Sequence, residues 1–225
     1  MRPTSALPAP DGTDAGASFQ WPVVSETGET DDAAAFRPVQ AAIVGRRNVS
    51  PRRLVGPGPS RRQLDDLLAL AAAAPDHGQL LPWRFLLIAQ AHRQRLGDAF
   101  VSALITRDSC ASQEQMAAAH EKAFRAPLLL VAISCHGKLE TNIPESERLV
   151  SLGAAIQNML IGARAMGFGS GLTSGQAMNA VALRELFRLR ADESAVCFVN
   201  IGSVKQLKQS LRARPAISAF FSELN

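Results

Sequence analysis

Two apolar runs of strand length, Leu128–Ser134 (LLLVAIS) and Ala195–Ile201 (AVCFVNI), constrain this chain more than any other feature. A strand with one wet face alternates apolar and polar residues; a strand without that alternation is covered on both faces. Helices must therefore lie on both sides of the sheet, and the intervening segments supply them. Ser60 and Gln63 form a capping box ahead of Leu64, Leu67, Leu68 and Ala71, and that helix should end before Pro75. Ala91 to about Arg107 and Gln113 to Arg125 are amphipathic. After Pro144, residues Leu149, Leu152, Ile156, Met159, Leu160, Ala163 and Met166 recur at helical spacing on one face, and Gly167 suits the position that ends the helix. Arg84–Ala89 (RFLLIA) reads as a further strand, and Val39–Val44 and Asn179–Phe187 as short helices. Few strands among many helices give a three-layer α+β or α/β body. The long apolar helix over 146–166 suits a subunit interface and the monomer core equally well.

Residues 1–37 are rich in Ala, Pro, Gly, Ser and Asp and lack periodicity, so they read as a disordered or loosely packed extension preceding one domain over 38–225. The extension lacks the apolar segment of a secretory signal. No apolar run approaches the roughly 20 residues needed to span a bilayer. Cys110, Cys135 and Cys197 are odd in number and widely spaced, which fits a reducing, cytoplasmic setting and no structural metal. The net charge is +4, but the basic residues are scattered, with no tyrosine and no basic–aromatic interleaving, so nucleic acid is not an expected partner.

Three segments could carry chemistry. Arg46-Arg47-Asn48, followed by Ser50, Arg52 and Arg53, offers fork-shaped guanidinium donors for a phosphate, or else is a solvated helix end. Ala74–Trp83 (APDHGQLLPW) is a proline-bounded loop between helix and strand. It reads as a ligand rim or as a loop braced by its own His77. Gly167–Gly175 (GFGSGLTSG) superficially resembles a dinucleotide fingerprint, but it follows a helix rather than a strand, which rules that out. Its glycines either let backbone groups approach something flat and polar or form a flexible link.

Taken in order, these segments resemble the nitroreductase superfamily, in its minimal single-domain branch. The matching residues are Arg46-Arg47-Asn48, the Ala74–Trp83 loop, the Leu128–Ser134 strand, Ile143-Pro144 with Glu147, Gly167-Phe168-Gly169 and Thr173-Ser174-Gly175, across about residues 38–215. The resemblance implies an α+β, three-layer α/β/α fold with a mixed, mainly antiparallel sheet. It further implies a homodimer formed through the long central helix, with FMN at the interface. By position, Arg46 and Arg47 would hold the FMN phosphate, with Asn48 in the usual serine place. His77 would lie near the flavin, Leu172, Thr173, Ser174 and Gly175 would line the isoalloxazine edge, and Arg214 would be a second phosphate contact. The chain departs from the pattern at Ala73, where a basic residue is common, at Leu172 and Thr173, where a Trp and a basic residue are common, and at Ser146 in place of a Trp.

The activity implied is transfer of hydride from NADH or NADPH through the flavin to a small-molecule electron acceptor such as a nitroaromatic or quinone. No side chain is assigned as a general acid or base. The departures motivate an alternative, a flavin-binding protein with little turnover. A flavin-fragmenting oxygenase of the same superfamily is a further alternative, against which the PDHG loop argues.

Overall fold

The computed structural model describes residues 33–137, 142–206 and 213–224. The chain divides into two compact units, 1–39 and 40–225. Of the expected N-terminal extension, residues 1–32 lie outside the described residues. Helix α1 spans Ala33–Gly45. It is longer than the Val39–Val44 segment read from sequence and runs through Pro38, whose ring forfeits one backbone hydrogen bond without ending the helix.

The second unit is built on a five-stranded sheet. β1 is Leu54–Val55, β2 Trp83–Leu87, β3 Leu128–Cys135, β4 Gly169–Thr173 and β5 Glu193–Val204. β2 pairs with β3, β3 with β5, and β5 with both β4 and β1, all antiparallel. A parallel bridge between Asn48 and Ser170 makes the sheet mixed. The unalternating runs behave as their composition requires. Leu128, Leu130 and Ala132 of β3 join Cys197, Val199 and Ile201 of β5 in one core cluster, while Leu129, Val131, Ile133 and Phe198 enter a second cluster on the opposite face. A register shift between Ala132 and Ile133 puts Ala195 in the second cluster.

Helices α2 (Arg61–Ala72) and α5 (Glu145–Ala165) cover the first face. α2 opens on the predicted capping box: Ser60 accepts from the Gln63 N–H, and the Ser60 N–H donates to the Gln63 side chain. α3 (Arg93–Arg107), α4 (Gln113–Glu121) and α6 (Val181–Leu186) lie on the other side, where α3 and α6 pack into the second cluster. The result is three layers, α/β/α. In α5, Leu152, Ala155, Met159, Leu160 and Ala163 are buried; each large apolar side chain among them contributes roughly 1.5–3 kcal/mol. Leu149, read as part of this stripe, is instead 41% exposed, beside Val150 at 72%. Gly167, at φ +87°, ends α5 with the Phe168 N–H donating to Ala163 O at 2.8 Å, as expected of a C-terminal glycine.

Two strands were not visible in the sequence. β1 is two residues long, and β4 has the composition of a loop. β4 is a strand because β5 provides its partners, from Gly169 opposite Gly202 to Thr173 opposite Phe198. Its glycines answer a packing demand: a Cβ on Gly171 would come within 2.4 Å of the Val49 carbonyl oxygen. The segment is therefore neither a flexible link nor a free loop over its first half.

Candidate functional site

Two of the three sequence segments converge at the edge of the sheet formed by β4. The Val49 N–H donates to Ser170 O at 2.8 Å, and the Leu172 N–H donates to the Asn48 side-chain oxygen at 3.2 Å. Arg46-Arg47-Asn48 is thereby fastened alongside Leu172-Thr173-Ser174-Gly175. Arg214 belongs to the same neighbourhood. Its Nη2 donates to Val44 O at 3.3 Å and Arg46 O at 3.1 Å, satisfying carbonyls at the C-terminal end of α1 that have no helical donor.

His77 stands apart. Its loop leads into β2, the opposite edge strand, two strands removed from β4 across β3 and β5. His77 Nδ1 lies 2.7 Å from Glu147 Oε2 in the first turn of α5. Asp76 braces the loop by accepting the N–H groups of Leu80 (3.2 Å) and Leu81 (2.7 Å). Gln79 and Leu81 hold positive φ, of 53° and 45°, a conformation that costs a non-glycine residue energy and persists where surrounding structure enforces it. No described contact within one chain joins His77 to the β4 edge.

A cavity of about 440 Å³ opens beside the β4 turn, within the range of small-molecule and cofactor sites. Thr173, Ser174 and Gly175 form one wall, and Phe100, Leu129, Met178 and Phe198 give it an apolar surface. Arg107, Lys122 and Arg125 supply positive charge, and Asn200 a buried amide. The sequence reading did not single out these last four. Arg107 ends α3, while Lys122 and Arg125 follow α4; only the return of that segment toward the sheet brings them to the glycine turn. Asn200 did carry a signal: it is the lone amide in an otherwise apolar strand, and a buried polar side chain in such a place requires partners.

The electrostatics favour an anion. Among the described residues, Arg46, Arg47, Arg107 and Lys122 form no ion pair, while Arg125 has Glu121 at 3.6 Å. The Nε groups of Arg46 and Arg125 are buried and have no hydrogen-bond partner among the described residues, so an acceptor beside them would be favoured. Outside the β4 edge, Ser174 and Gly175 N–H groups have no backbone partner among the described residues. The Lys122–Arg125 turn is held by Arg93, which is buried and donates to Ile88 O (3.0 Å), Ala123 O (2.8 Å) and Pro127 O (3.3 Å). Burial lowers the Arg93 pKa to about 10, which leaves it charged at neutral pH. A donor set of guanidinium, ammonium and backbone N–H groups beside aromatic rings fits a phosphorylated, electron-poor ring system such as FMN.

A second polar cluster lies at the other end of β5. Glu193, buried, accepts from Arg84 Nε (2.7 Å), Arg84 Nη2 (2.9 Å) and the Arg190 N–H (2.9 Å). Its partners account for it fully as a structural ion pair.

The model of the family described as "Nitroreductase family" matches residues 43–203. "Putative NAD(P)H nitroreductase YdjA" of Escherichia coli K12 is 32% identical over 170 residues, covering 75% of this chain and 88% of the relative. A "Putative NAD(P)H nitroreductase" of Haemophilus influenzae is 29% identical over 154 residues, covering 68% and 83%. Among solved structures, the nitroreductase-like family protein of Bacillus cereus superposes with a TM-score of 0.69 at 22% identity, covering 83% of this chain and 95% of that one. The FMN and NADPH-dependent nitroreductase NfnB of sphigopyxis sp. strain HMH superposes at 0.64 and 17% identity, covering 82% and 97%. No described helix is long and apolar enough to cross a membrane.

Proposed function

This chain belongs to the nitroreductase family, and from that premise we propose that it is an FMN-dependent oxidoreductase that uses NADH or NADPH to reduce a small-molecule acceptor. The observation that carries this reading is the cavity at the β4 turn, where the side chains of Arg107, Lys122 and Arg125, the Thr173–Gly175 turn and the rings of Phe100 and Phe198 line one space. Arg46 and Arg47 would take the phosphate, with the Asn48 amide nitrogen as a neutral donor, since its oxygen is occupied by Leu172. Arg214 supports that end by holding the backbone of Arg46. Leu172, Thr173, Ser174 and Gly175 would line the ring edge.

When bound there, FMN would supply the hydride-transfer chemistry that links a nicotinamide to an oxidised acceptor such as a quinone or nitroaromatic. Lys122 and Arg125 line the cavity with fixed positive charge, which would favour a negatively charged, reduced ring without reorganisation. Phe100, Leu129 and Phe198 exclude water from one side of the site, which strengthens those interactions.

His77 enters the proposal through a second chain. Its separation from the β4 edge is accounted for if the protein is a homodimer and the partner subunit's His77 completes the cradle. The exposed Leu149 and Val150 on α5, and Phe220 and Phe221 near the C-terminus, supply apolar surface for such an interface. We place the dimer in the cytoplasm.

Steady-state oxidation of NADH and NADPH by the FMN-loaded protein, with a quinone as acceptor, tests the activity. Acceptor-dependent turnover is the expected result. Bound flavin without turnover would overturn the enzyme reading in favour of a flavin-binding role.

A further inference from the structure

The buried amide of Asn200 fixes the direction of a proton. Its Nδ2 lies 3.1 Å from Gly171 O, 3.0 Å from Thr173 Oγ1 and 3.4 Å from Phe198 O. Two of these partners are carbonyls, which only accept, so the nitrogen and not the oxygen of the amide must face them. An amide NH2 has no lone pair to offer. Thr173 Oγ1 is therefore the acceptor in its bond with Asn200, and the hydroxyl proton of Thr173 must turn to another partner. Among the described residues none is recorded for it, and Thr173 lines the cavity.

We propose that Asn200 is a positioning residue that sets Thr173 as a hydrogen-bond donor into the cavity, aimed at an electron-rich carbonyl or nitrogen of the flavin ring system. The ring, rather than the phosphate, is the indicated acceptor because Phe198 stands directly opposite Thr173 in the β4–β5 ladder and Phe100 packs against it with ring centroids 5.6 Å apart. The donor at this position is thus a neutral hydroxyl, oriented from behind by a buried amide. The inference rests on the FMN reading above and adds the residue pair that tunes the ring. Such a donor stabilises electron density on the ring, so it raises both affinity and the tendency to accept electrons.

The test is flavin titration and spectroelectrochemistry on the full-length protein with Thr173→Val, Thr173→Ser, Asn200→Ala and the double variant Asn200→Ala/Thr173→Val. Thr173→Val should raise the Kd for FMN about 3- to 10-fold, shift the visible flavin band and lower the midpoint potential. Thr173→Ser should recover most of the affinity and potential. Because Asn200 acts through Thr173, the double variant should shift the potential no further than Thr173→Val alone. Thr173→Val with the parent's affinity, band position and potential would overturn the inference while leaving the FMN reading intact. A parent protein that takes up no flavin would overturn both. If Asn200→Ala fails to fold, the Val and Ser variants at Thr173 decide the matter between them.

Discussion

Asn48 and Leu172, 124 positions apart, are joined by a hydrogen bond from the Leu172 N–H to the Asn48 side-chain oxygen, 3.2 Å long. With the adjacent bridge to Ser170, it couples the proposed phosphate-binding segment to the turn that lines the cavity. Asn48→Ala should therefore cost about 0.5–1.5 kcal/mol in stability and also weaken FMN binding. Asn48→Asp keeps the acceptor oxygen, so it should preserve stability while placing negative charge beside the phosphate and lowering affinity. Denaturant unfolding together with flavin titration separates the two effects.

Arg47 is exposed and forms no ion pair among the described residues. If it makes a charge-assisted contact with the phosphate, Arg47→Ala should weaken FMN binding by about 1.5–3 kcal/mol, roughly 10- to 150-fold in Kd. Affinity for riboflavin, which lacks the phosphate, should be unchanged. An equal loss for both flavins would remove Arg47 from the phosphate site.

Glu193 makes stability depend on acid pH. The Arg84 hydrogen bonds, reinforced by the Arg190 N–H and by both positive charges, hold its carboxyl down to about 2 from an ordinary 4.5, against the opposing effect of burial. A depressed carboxyl stabilises the fold in full above about 4.5, and that contribution is lost as pH falls from there toward 2. The melting temperature should drop over that window. Glu193→Gln should be destabilised at neutral pH, because a neutral amide replaces the charged acceptor of Arg84, and should show a flatter acid profile.

Arg93 donates to three backbone carbonyls, those of Ile88, Ala123 and Pro127. Arg93→Ala is expected to cost at least about 3 kcal/mol. Arg93→Lys should recover only part of this, because one ammonium cannot span the same fork. Since Ala123 sits between Lys122 and Arg125, flavin affinity should fall with stability. Thermal melts and titration of the two variants provide the check.

Much of the fold is legible in the amino-acid sequence. The β3 and β5 runs demanded cover on both faces, and the capping box and Gly167 marked helix ends through local hydrogen bonding that sequence displays. β4 was not legible, because GSGLT has no intrinsic preference for extended structure and becomes a strand only against β5. At the site, Arg46, Asn48 and Thr173–Gly175 stood out as motif residues, and the structure brings them together. Lys122 and Arg125 did not, since nothing local says that the turn after α4 faces the β4 edge. Asn200 was not singled out either, although one amide in an otherwise apolar strand breaks a local rule and requires buried partners. Asp76 and His77 showed a rigid loop but not its destination, because the contact of His77 with Glu147 joins residues 70 positions apart.

Sedimentation velocity of the purified protein mixed with FMN, recorded simultaneously in the protein band and in the visible flavin band, tests the central claim most directly. The account predicts a single boundary at the dimer mass that carries both absorbances, with one flavin per chain. A monomer boundary with all flavin absorbance left in the unsedimented solvent would contradict it.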